Sequence, residues 1–286
     1  MLTSVKIVDG AREMILLPRQ TSGVLLQAID APMPEVREIV ENRTDDDGTR
    51  DTTSLFGARA CSIELLVTQS PRAVEDELTR FLHPRSRPYL VVEDDGWSQA
   101  RRLGLRAGTF DAPLTLDTAR WDGRRISVGW KVPTGIWEAD ETTEETVVAD
   151  AASGGVGFSL PFSLPLALTA TTDTGAYTVS NLGSIPSHFV ARLYGPCSGP
   201  VLKNESTGEE IRFTTTLSLA SGEYVEIDTR ERTANLLSTE NSRLSMLDFA
   251  ATSWWRIEPG ETEIRYAPQI SSPGAAAVIT YRPAWL

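Results

Sequence analysis

The sequence predicts a mainly β protein of two domains with a single α-helix. Three observations carry this. Apolar and polar residues alternate with period two in runs along the chain, the mark of half-buried strands. Only one segment spaces its apolar residues as a helix does. Between residues 138 and 157 the composition changes to EADETTEETVVADAASGGVG, acidic and Thr-rich, then small and Gly-rich, as a domain boundary does. The length agrees: 286 residues make two domains, or one large β domain, at about 150 residues each.

The first stretch, Met1 to Gly10, reads as a strand with Val5 and Ile7 on one parity. It lacks a basic region followed by an apolar run, so no signal peptide is expected. Val36 to Arg43 alternates, with Val36, Glu38 and Val40 on one side. Residues 44–57, TDDDGTRDTTSLFG, read as a long polar loop. Ser62 to Val67 places Ile63, Leu65 and Val67 together. Ile126 to Val132 is cleaner: Ile126, Val128, Trp130 and Val132 point one way, and Arg125, Ser127, Gly129 and Lys131 the other. Asp122-Gly123, just before it, is a hairpin-turn dipeptide.

The helix is expected over Pro71–Leu82. Val74, Leu78, Phe81 and Leu82 give one apolar face, and Pro84 stops it. Ser70 suits the N-cap and Pro71 the first helical position. Glu75, Asp76 and Glu77 lie early and Arg80 late, which suits the macrodipole.

The expected organisation is a first domain over 1–140, an acidic and Gly-rich linker or β-arm over 141–157, and a second domain over 158–286. Within the second, Ile211, Phe213, Thr215, Leu217 and Leu219 alternate with polar residues; Val225 and Ile227 follow the Ser221-Gly222 turn. Ile264 and Tyr266 share a parity, as do Ala277, Ile279 and Tyr281. Short strands at roughly ten-residue spacing between Gly, Pro, Asn and Ser turns suggest a β-sandwich. Phe158 to Leu168 is the longest apolar-leaning stretch; it carries Pro161 and Pro165 and is too short to span a bilayer.

Composition excludes several functions. The net charge is −12, from 27 Lys and Arg against 39 Asp and Glu. Such a chain repels nucleic acid and acidic membrane surfaces. Cys61, Cys197, His83 and His188 are the whole soft-ligand set, and no two fall at a zinc-ligand interval. They read as two buried free thiols, suited to synthesis in a reducing cytoplasm, and two incidental histidines. There is no phosphate-binding loop, dinucleotide fingerprint or nucleophile elbow. Two histidines leave a Ser-His-Asp triad without local support. Asp45, Asp46, Asp47 and Gly48 invite a calcium loop, but aligning Gly48 to its sixth position puts Arg43 and Ser54 where acids are needed. An irregular calcium site stays open as an alternative to a solvated loop. Glu258 beside Trp254 and Trp255 raises a sugar site, against a core or contact role for the tryptophans. No catalytic, cofactor-binding or metal-binding residue is therefore assigned, and the chain is expected not to be an enzyme.

From Tyr194 onward the motifs fall in a specific order: Gly195-Pro196, Asn204 with Thr207-Gly208, Ser221-Gly222-Glu223 with Ile227-Asp228, Trp254-Trp255 with Pro259-Gly260, and Tyr281 to Leu286. This order resembles the C-terminal half of the distal tail proteins (Dit) of long-tailed, siphovirus-type bacteriophages. Glu261-Thr262 departs from it, since an Asn often follows the Pro-Gly turn there. The likeness is close over about the last third of the chain. The first half matches more loosely, through the polar loop, Leu55 to Arg59 and the Pro71–Leu82 helix.

The resemblance implies a tail-tube-like β-sandwich or barrel with one helix, followed by a galectin-like β-sandwich. It implies a homohexameric ring at the tail tip of the virion, assembled in the host cytoplasm. That ring would join the tail tube protein to the tail-tip hub or baseplate and surround the DNA channel, with no sequence-specific nucleic-acid binding and no membrane insertion. The galectin likeness concerns fold only: Trp255 to Glu258 runs into Pro259-Gly260 without the Arg of a galectin sugar site, and His188 lacks the following Asn. The alternatives are a carbohydrate-binding module that contacts the host surface, a tail hydrolase, and the tube protein itself, which would need only the first domain.

Overall fold

The computed structural model describes residues 1–17, 23–42, 49–113, 123–149, 176–237 and 241–286. The chain divides into two compact units, Met1–Glu141 with Ala284–Leu286, and Thr142–Pro283. In both, the sheets are antiparallel ladders.

The first unit has a six-stranded sheet in the order Arg12–Leu17, Leu2–Asp9, Tyr89–Asp94, Arg101–Gly104, Trp137–Ala139 and Ala284–Trp285. Its second sheet runs Val24–Asp30, Arg59–Val67, Arg124–Val132 and Arg106–Asp111. One apolar core draws on both sheets and on the helix. Val5 and Ile7 are sealed in it, as their shared parity requires. Ile63, Leu65 and Val67 enter it beside Ile126, Val128 and Trp130, because the register sets Val128 opposite Ile63 and Trp130 opposite Cys61.

The helix runs Pro71–Phe81 and buries Val74, Leu78 and Phe81. Leu82 is its C-cap. Ser70 stands at the N-cap position with φ of 45°, and its side chain makes no capping hydrogen bond. Its carbonyl instead accepts the Ala73 and Val74 amides. The first turn holds no acid, so only Arg80, in the last turn, complements the macrodipole as expected.

One expectation is corrected. Most of the 44–57 loop is a strand: Thr49–Phe56 pairs with Val36–Asn42 as a separate hairpin. The polar, Thr-rich sequence hides the alternation, although Thr is a good strand former. Asp122 of the expected turn dipeptide lies outside the described residues.

The second unit is a sandwich. A five-stranded sheet runs Thr143–Val148, Ala276–Tyr281, Phe189–Tyr194, Tyr224–Asp228 and Thr233–Leu236. A four-stranded sheet runs Ala176–Asn181, Gly260–Tyr266, Val201–Asn204 and Glu210–Arg212. Phe189, Leu193, Ile227, Ile264, Tyr266 and Ile279 share its core. The turns land where the dipeptides place them: Gly208, Gly222 and Gly260 all have positive φ, which costs glycine least.

The long alternation from Ile211 is interrupted. Glu210–Arg212 ends, a turn closes with the Leu217 amide on the Thr214 carbonyl at 3.1 Å, and Ser218–Leu219 joins a small third sheet. Ile211, Phe213, Leu217 and Leu219 are nevertheless all buried, while Thr215 is exposed at the turn. Of the stretch read as a linker or arm, Thr143–Val148 is an ordered strand on the Ala276–Tyr281 edge. The second domain was expected to run to residue 286. The chain instead leaves its sandwich at Tyr281, passes Pro283, and pairs Ala284 and Trp285 with Glu138 and Trp137 in the first unit.

Candidate functional site

A groove of about 850 Å³ opens on the first unit, at the end of the four-stranded sheet. Its floor is made of small residues. The register lays Ser62 beside Gly129, and Gly129 beside Thr109. A Cβ on Gly129 would stand 2.9 Å from Thr109 Oγ1, so a larger residue there requires the Thr109 side chain to shift. A floor of this kind admits another backbone closely.

The wall comes from the base of the separate hairpin. Phe56 lines the groove and pairs with Val36, which puts both on one hairpin face. They are 45% and 55% exposed, so this face carries apolar surface into solvent. Charged residues around the groove are Asp30, Glu35, Arg37, Arg59 and Lys131.

Arg59 is the unusual one. It opens the strand Arg59–Val67, whose inward parity it shares with Cys61 and Ile63. It is only 2% exposed, its Nε has no hydrogen-bond partner, and among the described residues no carboxylate stands within ion-pair distance. Burial lowers its pKa from the ordinary arginine value. Cys61, also on the groove, is pushed up to about 12: burial raises its thiol, the Arg59 charge lowers it, and Asp30 raises it further. Such a thiol is inert at neutral pH.

A second arginine site lies in the same unit. The Arg101 guanidinium sits 4.1 Å from the ring centre of Trp97 and 4.2 Å from that of Trp285. Trp97 meets Trp137 edge-on at 6.1 Å. Next along the strand, Arg102 stacks on Tyr89 and reaches Glu138 at 3.7 Å. Planar guanidinium groups suit this stacking, and each such contact is worth about 0.5–2 kcal/mol. From the sequence only Trp254 and Trp255 are considered as sugar platforms, and this cluster is not reached. Arg101-Arg102 and the widely spaced Trp97, Trp137 and Trp285 give no local signal of it.

Among the described residues no three His, Cys, Asp or Glu stand together as a metal site. Cys61 and His83 belong to the first unit, Cys197 and His188 to the second. Cys61 and Cys197 are buried and free. Cys197 Sγ lies 3.2 Å from Tyr266 Oη, and that hydroxyl also donates to the Tyr194 carbonyl at 3.1 Å. His83 is exposed and accepts the Arg85 amide through Nδ1. His188 is half-buried, and its pKa is lowered by burial first and then by the charges of Arg230 and Arg256. Asp45, Asp46, Asp47 and Gly48 lie outside the described residues. Trp255 is 2% exposed and packs on Phe189 with ring centres 4.5 Å apart, so it is a core residue rather than a sugar platform. Trp254 packs half-buried against the same core, and Glu258 is exposed.

The motif residues of the C-terminal half instead make its turns. Asn204 is fully buried, and its Oδ1 accepts the Ser206 and Thr207 amides at 3.0 and 3.2 Å, closing the hairpin before Gly208. Glu223 accepts the Ala220 amide at 2.9 Å across the Ser221-Gly222 turn.

Comparison with known proteins adds the following. Residues 183–285 match the family described as siphovirus-type tail component, C-terminal domain. No curated protein matches the chain. Among solved structures, the Dit protein (gp 19.1) of phage SPP1, described as a paradigm of the hub adsorption apparatus in phages infecting Gram-positive bacteria, is 11% identical with a TM-score of 0.65. The match covers 99% of each chain. A chain of the phage P2 baseplate in its activated conformation with Ca is 13% identical at a TM-score of 0.52, over 99% of this chain and 98% of that one. The same baseplate with Sr gives 13% and 0.51, over 98% and 97%. Residues 183–285 are thus similar to the C-terminal domain of siphovirus-type tail components, and the chain over its whole length shares the fold of the SPP1 Dit protein.

Proposed function

We propose that the protein is a structural component of the phage tail tip, six copies of which close into a ring around the DNA channel and join the tail tube to the hub or baseplate. The observation that carries this reading is the family match over residues 183–285, on a fold shared with the Dit protein over 99% of both chains. The first unit, tail-tube-like in this reading, builds the ring, and the second is an outer, galectin-like sandwich. The partners are further copies of itself, the tail tube protein and the hub. The protein performs no catalysis.

The acidic balance fits a conduit. DNA slides past a wall of like charge without sticking, and a net charge of −12 supplies such a wall if part of it faces the lumen. Light scattering and negative-stain microscopy of the purified full chain test the ring. Six-fold particles are expected, alone or once tube protein is added. Single copies at every soluble concentration under both conditions overturn it. A sugar titration followed by tryptophan fluorescence tests the alternative of a host-surface sugar module, which the buried position of Trp255 disfavours.

A further inference from the structure

We propose that the groove at the end of the four-stranded sheet is a socket for a second copy of this chain, and that a carboxylate of that copy completes the charge of Arg59. The inference rests on the ring reading and names the contact by which copies would meet.

Four observations support it. First, Arg59 is 2% exposed without an ion pair among the described residues. A buried charge without a counter-ion costs several kcal/mol, of the order seen when one partner of a buried pair is removed. Folding has already stripped its water, so an incoming carboxylate bears only its own desolvation. Second, Val36 and Phe56 present exposed apolar side chains on the face that walls the groove, the surface character of interaction sites. Third, the residues that line the groove on either side of Arg59 in sequence are small, Gly57, Ala58 and Ala60, so an extended segment can lie close there.

The fourth concerns the occupant. Copies that each carry −12 repel one another, and fixed positive charge at the seam offsets that repulsion. Arg59 is a cation that no carboxylate among the described residues neutralises. The matching anion is abundant: Glu141 and Glu144 are exposed and have no ion pair among the described residues. Asp30 and Glu35 line the same groove without pairing to Arg59, and Arg37 and Lys131 add positive charge. A nucleic-acid occupant would meet the same net −12 as unfavourable.

The test is analytical ultracentrifugation of the full chain against concentration and salt, with Arg59→Met and Phe56→Ser. Wild type is expected to self-associate, and more so as salt screens the −12 on each copy, since a desolvated pair is screened little. Each variant is expected to raise the dissociation constant about tenfold or more, the effect of truncating one side of a desolvated charge pair or an anchor. Phe56 is a surface residue, so its variant carries the test should Arg59→Met fail to fold. Wild-type association with Phe56→Ser and a folded Arg59→Met unchanged overturns the socket and leaves the ring reading intact. Loss of association to tube protein alone, with self-association kept, overturns the second copy as occupant. A wild type that never associates, alone or with tube protein, overturns the ring reading itself.

Discussion

Arg101 and Arg59 belong to the same unit, and each has an Nε without a hydrogen-bond partner. Only Arg101 has company. Its guanidinium is held between the faces of Trp97 and Trp285, at 4.1 and 4.2 Å, and the ring electrons stand in for the lost water. Arg59 is more deeply buried and is met by no ring and no carboxylate among the described residues. The first arrangement is complete within one chain. The second is left without a counter-charge by the described residues. A buried cation is thus no single kind of feature, and its neighbours decide whether it serves the fold or an interface.

The comparison can be broken most forcefully at Trp285. Trp285→Ala should cost about 3–5 kcal/mol in urea unfolding, through the lost indole and one face of the Arg101 sandwich. A loss below about 1 kcal/mol, the size of a surface change, would show that the stack adds nothing to stability. Arg101→Ala should cost about 2–3 kcal/mol, and Arg101→Lys about 1 kcal/mol, because an ammonium keeps the charge but not the planar stacking. Equal losses in both would mean that charge alone matters there.

At Arg59 the sign should reverse. Arg59→Met should leave the isolated protomer as stable, or raise its stability by about 1 kcal/mol, since a buried unpaired charge is replaced by an apolar side chain of similar length. A loss of more than about 3 kcal/mol would mean that the guanidinium is satisfied within the fold after all.

The smallest effect expected at neutral pH concerns Cys61. Burial raises its thiol from an ordinary 9.0 to about 12, against the lowering pull of Arg59. A raised folded-state pKa means that the protonated thiol stabilises the fold. That contribution is whole below pH 9.0 and is lost as pH climbs toward about 12. Iodoacetamide should label Cys61 much more slowly at pH 8 in the native protein than after unfolding. Equal rates would place the thiol in solvent.

The sequence was most legible where one face of a strand is buried. Val5 and Ile7, the Ile63–Val67 series and the Ile126–Val132 series all entered the core on the predicted parity. The turns at Gly208, Gly222 and Gly260 were also readable, because positive φ has its own residue signature. The hairpin strand Thr49–Phe56 was not, because its pairing with Val36–Asn42 is held by a backbone ladder that leaves no apolar alternation. Nor was the break after Arg212, where the buried set survived a turn that periodicity alone runs straight through. The groove was the least legible feature. Ser62, Thr109 and Gly129 come from three strands and meet only through register.

What the sequence determined by itself was therefore local: which side chains face inward, where glycine turns close, where the one helix starts and stops, and the order of C-terminal motifs. These depend on residues a few positions apart, so a periodic pattern can encode them. The tertiary structure alone decided the long-range pairings. It sent Ala284–Trp285 back to Trp137–Ala139, set Trp285 against Arg101, and buried Arg59 with no carboxylate beside it among the described residues. Those outcomes depend on which distant edges find each other, and strand pairing follows from the packing of the whole core rather than from any one segment.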